Sequence, residues 1–266
     1  MAGTKRELKT MILEKEDGLA VITLNNPDRL NAMSPQQIFD LVEVFSELEK
    51  DEDIRCAVIT GKGRAFLAGG DVESDIKPLA SMTPQDFNIY MKRADYFYRT
   101  IAEMEKPVIA AINGIVVGAG LDLAMCCDIR IASEKAQLGQ FFVRMGLLPE
   151  SGAYLMPRLV GLGMAKLLSF TGDLIDAKEA ERIGLVEKVV PHEELMPYVM
   201  KLAKRFASGP RCIGIMKRQL NEAMNMNFET ALDYAIRLQY QCIHTEDHKE
   251  AVNAFLEKRK PTFTGK

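Results

Sequence analysis

The chain has 266 residues, 47% of them hydrophobic and 27% charged, with a formal net charge of −3 at pH 7. That is enough chain for one large core, or a core with an appendage, and the evenly mixed, slightly acidic charge excludes the basic stripe of a nucleic-acid binder. Cys56, Cys126, Cys127, Cys212 and Cys242 are odd in number and scattered, and with His192, His244 and His248 they show no zinc-ligand spacing, so neither a disulfide frame nor a structural metal is expected.

The opening segment, Met1-Ala-Gly-Thr-Lys-Arg-Glu-Leu-Lys9, is polar and carries no hydrophobic signal core or membrane span, so the cytoplasm is the expected location. Residues 11–14 and 19–24 read as a hairpin around Asp17-Gly18. Ser34-Pro35-Gln36-Gln37 opens a helix: serine is the N-cap, proline takes the first helical position and glutamine completes a capping box. Ile38, Leu41, Val42, Phe45 and Leu48 keep helical spacing along it. A strand is expected over 55–60. Thr83-Pro84-Gln85-Asp86 opens a second helix, with Phe87, Met91, Ala94, Phe97, Ile101 and Met104 on one face and Pro107 ending it. Strands over 108–112 and 129–132 follow. Beyond about residue 191 the pattern predicts four amphipathic helices, at 195–206, 212–224, 230–242 and 249–258, with no strand between them. Alternating strands and helices with glycine turns at strand ends are the α/β pattern. Residues 1–195 therefore read as an α/β core, and 196–266 as a helical region for capping and oligomerisation.

Two glycine-rich segments carry the chemical signal: Ala65-Phe-Leu-Ala-Gly-Gly-Asp71 and Asn113-Gly-Ile-Val-Val-Gly-Ala-Gly-Leu-Asp122. Each follows a strand-like apolar run, and the second opens an apolar helix. Small residues at such turns leave backbone N–H groups bare, and a helix N-terminus adds free donors with the positive end of its dipole. Two such donors aimed at one point make an oxyanion hole. A dinucleotide fingerprint at Gly118-Ala-Gly120 fails on spacing, because Leu123 stands where its third glycine belongs.

In this order, and about fifty residues apart, the two segments resemble the enoyl-CoA hydratase/isomerase (crotonase) superfamily. The likeness continues through Asp128-Ile-Arg-Ile-Ala132, Leu138-Gly-Gln140, Met145-Gly-Leu-Leu-Pro149, Pro157-Arg-Leu-Val-Gly161, Thr171-Gly172, residues 177–190 and Phe255-Leu-Glu-Lys-Arg259. The resemblance implies a crotonase-like ββα spiral core followed by a helical C-terminal region, an acyl-CoA thioester substrate and no separate cofactor, coenzyme A being part of the substrate. It also implies a homotrimer or hexamer. The N–H groups of Gly70 and Ala119 would hold the thioester oxygen. Ala68, Asp71, Val72, Gly118 and Phe142 would line the substrate. Arg29 and Leu30 would approach the CoA nucleotide, with Lys62 and Arg64 as further candidates for its phosphates and Lys258 in the tail segment that touches CoA. Packing, turn fixation and simple solvation account equally well for Phe141 and Phe142, for Asp71 and for the basic residues.

The acid–base residues decide the reaction. By the same resemblance, hydratases place one glutamate at the position of Asp122 and another at that of Phe142, two carboxylates that share a water. Here the first is shorter and the second is absent, which counts against ordinary hydration. Glu150 matches the acidic residue of the family's isomerases. Moving a double bond from the 3,4 to the 2,3 position needs one base and no water, and Phe142 would help to exclude water. The expected activity is therefore enoyl-CoA isomerisation by Glu150. Asp122 is left open as an orienting group, a second acid or a helix-stabilising residue, and Glu150 itself has a plain alternative as an N-terminal carboxylate of the helix near Ser151. The competing expectations are an enoyl-CoA or dienoyl-CoA hydratase using Asp122 and Glu150, and an inactive homologue that binds acyl-CoA or RNA.

Overall fold

A computed structural model describes residues 3–266; the first two residues of the polar opening lie outside it. Two sheets organise the core. The larger has the strand order β1 (Thr4–Glu7), β2 (Met11–Glu16), β3 (Leu19–Leu24), β4 (Cys56–Gly61), β6 (Val108–Ile112), β8 (Ile129–Ser133), β11 (Lys188–Val190), antiparallel up to β3 and parallel from there on. The smaller has the order β10 (Leu174–Asp176), β9 (Gln137–Gly139), β7 (Ile115–Val117), β5 (Ala65–Leu67).

The central strands read as continuous apolar runs because both faces of the large sheet are covered. Ala57 and Ile59 of β4, with Val108, Ala110 and Ile112 of β6, face one cluster. Helices α1 (Pro35–Lys50), α3 (Pro84–Glu103) and α4 (Ala119–Cys126) complete it with Leu41, Phe45, Phe97, Ile101 and Leu123. The alternate residues Cys56, Val58, Ile109 and Ala111 face a second cluster, closed by Leu195, Val199, Ala203 and Ala207 of α8 (Leu195–Ala207). The first helix beyond residue 195 thus covers the sheet. It is followed by α9 (Cys212–Ala223), α10 (Phe228–Ile243) and α11 (Glu246–Leu256). Between β9 and β11 lie α5 (Gly152–Val160), α6 (Leu162–Thr171) and α7 (Ala177–Arg182). Among the described residues no helix is long and apolar enough to cross a membrane.

Three local expectations fail. Ser34 caps α1 by accepting the N–H of Gln37, but Gln37 does not reciprocate: its amide is 1% exposed and its side chain has no hydrogen-bond partner among the described residues, so the capping box is half formed. On α3, Ala94, Phe97 and Ile101 are buried as the spacing predicts, whereas Phe87 is 42% exposed because the first turns of α3 extend past the core. The last helix begins earlier than its apolar pattern, at Glu246, with Thr245 as N-cap.

The C-terminal helices are tied to the core by Lys217 of α9. Its buried ammonium pairs with Asp128 at 2.9 Å and donates to the carbonyls of Ile101 and Lys106 at 2.7 and 3.1 Å. Lys217→Met should lower stability by about 2–3 kcal/mol, below the usual range for a broken buried pair because Asp128 stays partly exposed. Urea unfolding checks this as a lower midpoint at unchanged slope.

Candidate active site

The smaller sheet explains why the two glycine segments meet. β5 and β7 pair in parallel, Ala65 opposite Ile115 and Leu67 opposite Val116, so both strands end on the same side. The Cα of Gly69 lies 3.7 Å from where a Cβ on Gly118 would be. Gly118 has φ 53° and ψ −126°, a conformation that a side chain would resist, and it turns the chain sharply into α4. Ala119 is the first residue of α4, so its N–H has no acceptor within the helix. On the other turn, Met33 N donates to Gly69 O and Asp71 N donates to Met33 O, so this bridge passes over the N–H of Gly70. No acceptor for the N–H of Gly70 or Ala119 occurs among the described residues. Two unengaged donors on adjoining turns can stabilise one oxygen that gains negative charge. The hydroxyl of Tyr98, from α3, donates to the carbonyl of Ala119 at 3.2 Å and steadies the start of α4.

Asp122, in the first turn of α4, is 0% exposed. Its Oδ2 accepts the N–H groups of Glu150 at 3.0 Å and Gly152 at 2.9 Å, and its Oδ1 accepts the amide of Gln140 at 3.0 Å. Asp122 therefore caps α5 from outside, while Ser151 at the N-cap position makes no side-chain cap. Burial holds the Asp122 carboxyl above the usual range, and the donors from Gly152, Gln140 and Glu150 offset that only in part. A Cβ on Gly152 would lie 2.2 Å from Asp122 Oδ1, so this clamp closes only on a glycine.

Glu150 stands in contrast. It is partly exposed, its backbone is held by Asp122, and its carboxyl has no hydrogen-bond partner among the described residues. Burial, followed by the charges of Asp122, Asp95 and Asp75, pushes that carboxyl up to about 7. A group poised there takes and returns protons near neutral pH.

The other expected residues divide into two sets. Arg29 donates to Asp71 Oδ2 at 2.7 Å, while Asp71 Oδ1 accepts the N–H groups of Glu73 and Ser74; the Ser74 N–H, then Arg29, hold Asp71 below the ordinary carboxylate range. Asp71 thus caps a π-helical turn, Val72–Ile76, that runs into the short α2 (Lys77–Leu79). Ala68 N donates to Leu30 O, so Arg29, Leu30, Ala68, Asp71 and Gly118 stand around the two free N–H groups, with Val72 exposed beside them. Phe142, on the 3-10 turn Phe141–Met145, packs in part against the main core. Lys62 and Arg64 lie exposed before β5. Lys258 lies just past α11 and has no hydrogen bond or ion pair to any of these residues among those described.

Sequence reasoning missed Gln140 and Gly152, although both lie in quoted or adjoining motifs, because only the folded contact with Asp122 gives them meaning. It also missed Asp75, held above the usual carboxylate range by burial, whose Oδ1 accepts the hydroxyl of Tyr90. No local pattern marks that pair.

The sequence matches the family described as Enoyl-CoA hydratase/isomerase over residues 14–266. It is 41% identical to the crotonyl-CoA hydratase of Syntrophomonas wolfei, covering 97% of this chain and 99% of that protein. It is 36% identical to the 1,2-epoxyphenylacetyl-CoA isomerase of Escherichia coli, covering 94% and 97%. The crystal structure of enoyl-CoA hydratase from Bacillus anthracis superposes with a TM-score of 0.90 at 31% identity, covering 97% of this chain and all of that one. Matching folds, matching lengths and a site built from two glycine turns and buried acids lead to one statement: the chain belongs to the enoyl-CoA hydratase/isomerase family.

Proposed function

We propose that the protein isomerises enoyl-CoA thioesters, moving a 3,4 double bond into conjugation. The N–H groups of Gly70 and Ala119 receive the thioester oxygen. Glu150 removes a proton from C2, the electron pair moves toward that oxygen, and the double bond shifts as Glu150 returns the proton to C4. Each preorganised donor contributes roughly 3–4 kcal/mol to such an enolate-like state. The observation that carries this reading is the division between the two acids. Asp122 is sealed and committed to three N–H donors, whereas Glu150 is unpartnered with its carboxyl near 7. Asp122 then orients Glu150 and carries no proton. Arg29, Leu30, Ala68, Asp71, Val72, Gly118 and Phe142 surround the acyl-CoA.

A second reading, hydration of 2-enoyl-CoA, is favoured by the names of relatives at 41% identity, a crotonyl-CoA hydratase and a short-chain-enoyl-CoA hydratase of Clostridium acetobutylicum. It needs a partner acid for Glu150 to share a water with, and neither Phe142 nor the sealed Asp122 offers one.

We also propose that the chain assembles as a homotrimer or hexamer in the cytoplasm. Phe228, Ile236, Tyr240, Phe255 and Leu256 leave large apolar surfaces on the C-terminal helices, and Lys258 would reach CoA across the boundary between copies. Light scattering of the purified protein should give three or six times the chain mass.

Glu150→Gln should reduce isomerase turnover by at least about a thousandfold while leaving acyl-CoA dissociation constants within about threefold; near-normal turnover would refute the assignment. The base must start ionised, so kcat/KM of the native enzyme should rise with pH and level off above about 7. The folded carboxyl holds its proton more tightly than the unfolded one, so its contribution to stability is present in acid and lost as pH rises through about 7. Glu150→Gln should therefore be more heat-stable than the native chain at about pH 8, with the gap closing toward about pH 5. Differential scanning calorimetry at both values checks the sign.

A further inference from the structure

Asp75 and Tyr90 have no part in the proton transfer, yet both border it. Asp75 lies in the π-helical turn that follows the first glycine segment, and its Oδ2 is 2.9 Å from where a Cβ on Gly70 would be. Its other oxygen accepts the Tyr90 hydroxyl, delivered from α3. The charge of Asp75 acts on Glu150, and that of Glu150 on Tyr90, which puts the pair within electrostatic reach of Glu150. Asp75 and Tyr90 are both half-buried, Tyr90 packs against the main core, and Asp75 Oδ2 has no hydrogen-bond partner among the described residues.

A plain alkyl chain leading away from the thioester would strip water from Asp75 Oδ2 and offer no donor in exchange, which is unfavourable for a buried carboxylate. It would also leave uncompensated negative charge beside Gly70, whose N–H has to stabilise an oxygen gaining negative charge. A hydroxyl on the acyl chain removes the first difficulty and eases the second, by donating to Oδ2 as Tyr90 donates to Oδ1 and drawing part of its charge.

We propose that Asp75 and Tyr90 form a recognition pair for the acyl group, and that the preferred substrate is an enoyl-CoA bearing a hydroxyl on its acyl chain. The turnover part of this proposal rests on the isomerase reading; the binding part does not. Sites built to hydrogen-bond a substrate hydroxyl reject the analogue that lacks it far more strongly than apolar pockets discriminate by size.

The test compares 3-hexenoyl-CoA with its 5-hydroxy and 6-hydroxy derivatives. The native enzyme should show a kcat/KM at least about tenfold higher for one of the hydroxylated substrates. Asp75→Leu should erase that preference and raise turnover of the plain chain, and Tyr90→Phe should weaken the preference. A native enzyme that favours 3-hexenoyl-CoA, or a preference that survives in Asp75→Leu, overturns the proposal. Should Asp75→Leu fail to fold, Asp75→Asn keeps the shape and should still narrow the preference. Dissociation constants of the same CoA esters for Glu150→Gln separate the two claims. A hydroxyl preference in binding without isomerisation by the native enzyme refutes the reaction and supports the pair. Isomerisation with no preference in binding overturns the pair alone.

Discussion

The buried carboxylate of Asp122 is the constraint on which the site depends. It joins the first turn of α4, which supplies the Ala119 N–H, to the start of α5, which carries Glu150. One side chain thus fixes the spacing between the Ala119 turn and the backbone of Glu150. A buried carboxylate is unfavourable unless its lone pairs are taken, and three N–H donors take most of them here. Engaged in this way, it is a poor proton carrier. The same geometry that makes Asp122 a good clamp leaves Glu150 as the acid with an unpartnered carboxyl, which is the ground of the proposed base.

Glu150 shows the opposite balance. Its backbone is tightly held, but its carboxyl is surrounded by burial and like charge with no compensating donor. Ionising it inside the fold is unfavourable, and that instability is the source of its basicity near neutral pH. The rigid sheets beneath tolerate it, because both faces of the large sheet are covered and the glycine turns rise from paired parallel strands. Stability in the scaffold and instability at one carboxyl are separate properties of different layers.

Much of this was legible in the sequence. The central strands, the caps at Ser34 and Thr83, the four C-terminal helices and both glycine turns follow from periodicity and turn chemistry, since those signals are local. The small second sheet was not, because strands of three residues such as β7 and β9 lack a readable period, and yet their pairing brings the two turns together. Glu150 was placed by resemblance, and only the fold shows that its carboxyl makes no helix-cap hydrogen bond. The cap turned out to be Asp122, from 28 residues earlier in the chain. Gln140, Gly152, Asp75 and Tyr90 act only through contacts across the fold, so no pattern in the chain marks them.

The measurement that bears most directly on the central claim supplies the purified enzyme with a 3-enoyl-CoA and, separately, a 2-enoyl-CoA in water labelled with heavy oxygen. Ultraviolet absorbance of the conjugated thioester and product mass are followed together. With Glu150 as the proton carrier, the 3-enoyl substrate should gain the conjugated band at unchanged mass and without label. Loss of that band from the 2-enoyl substrate with uptake of one labelled water, and no conversion of the 3-enoyl substrate, would contradict the account and require a second acid at the site.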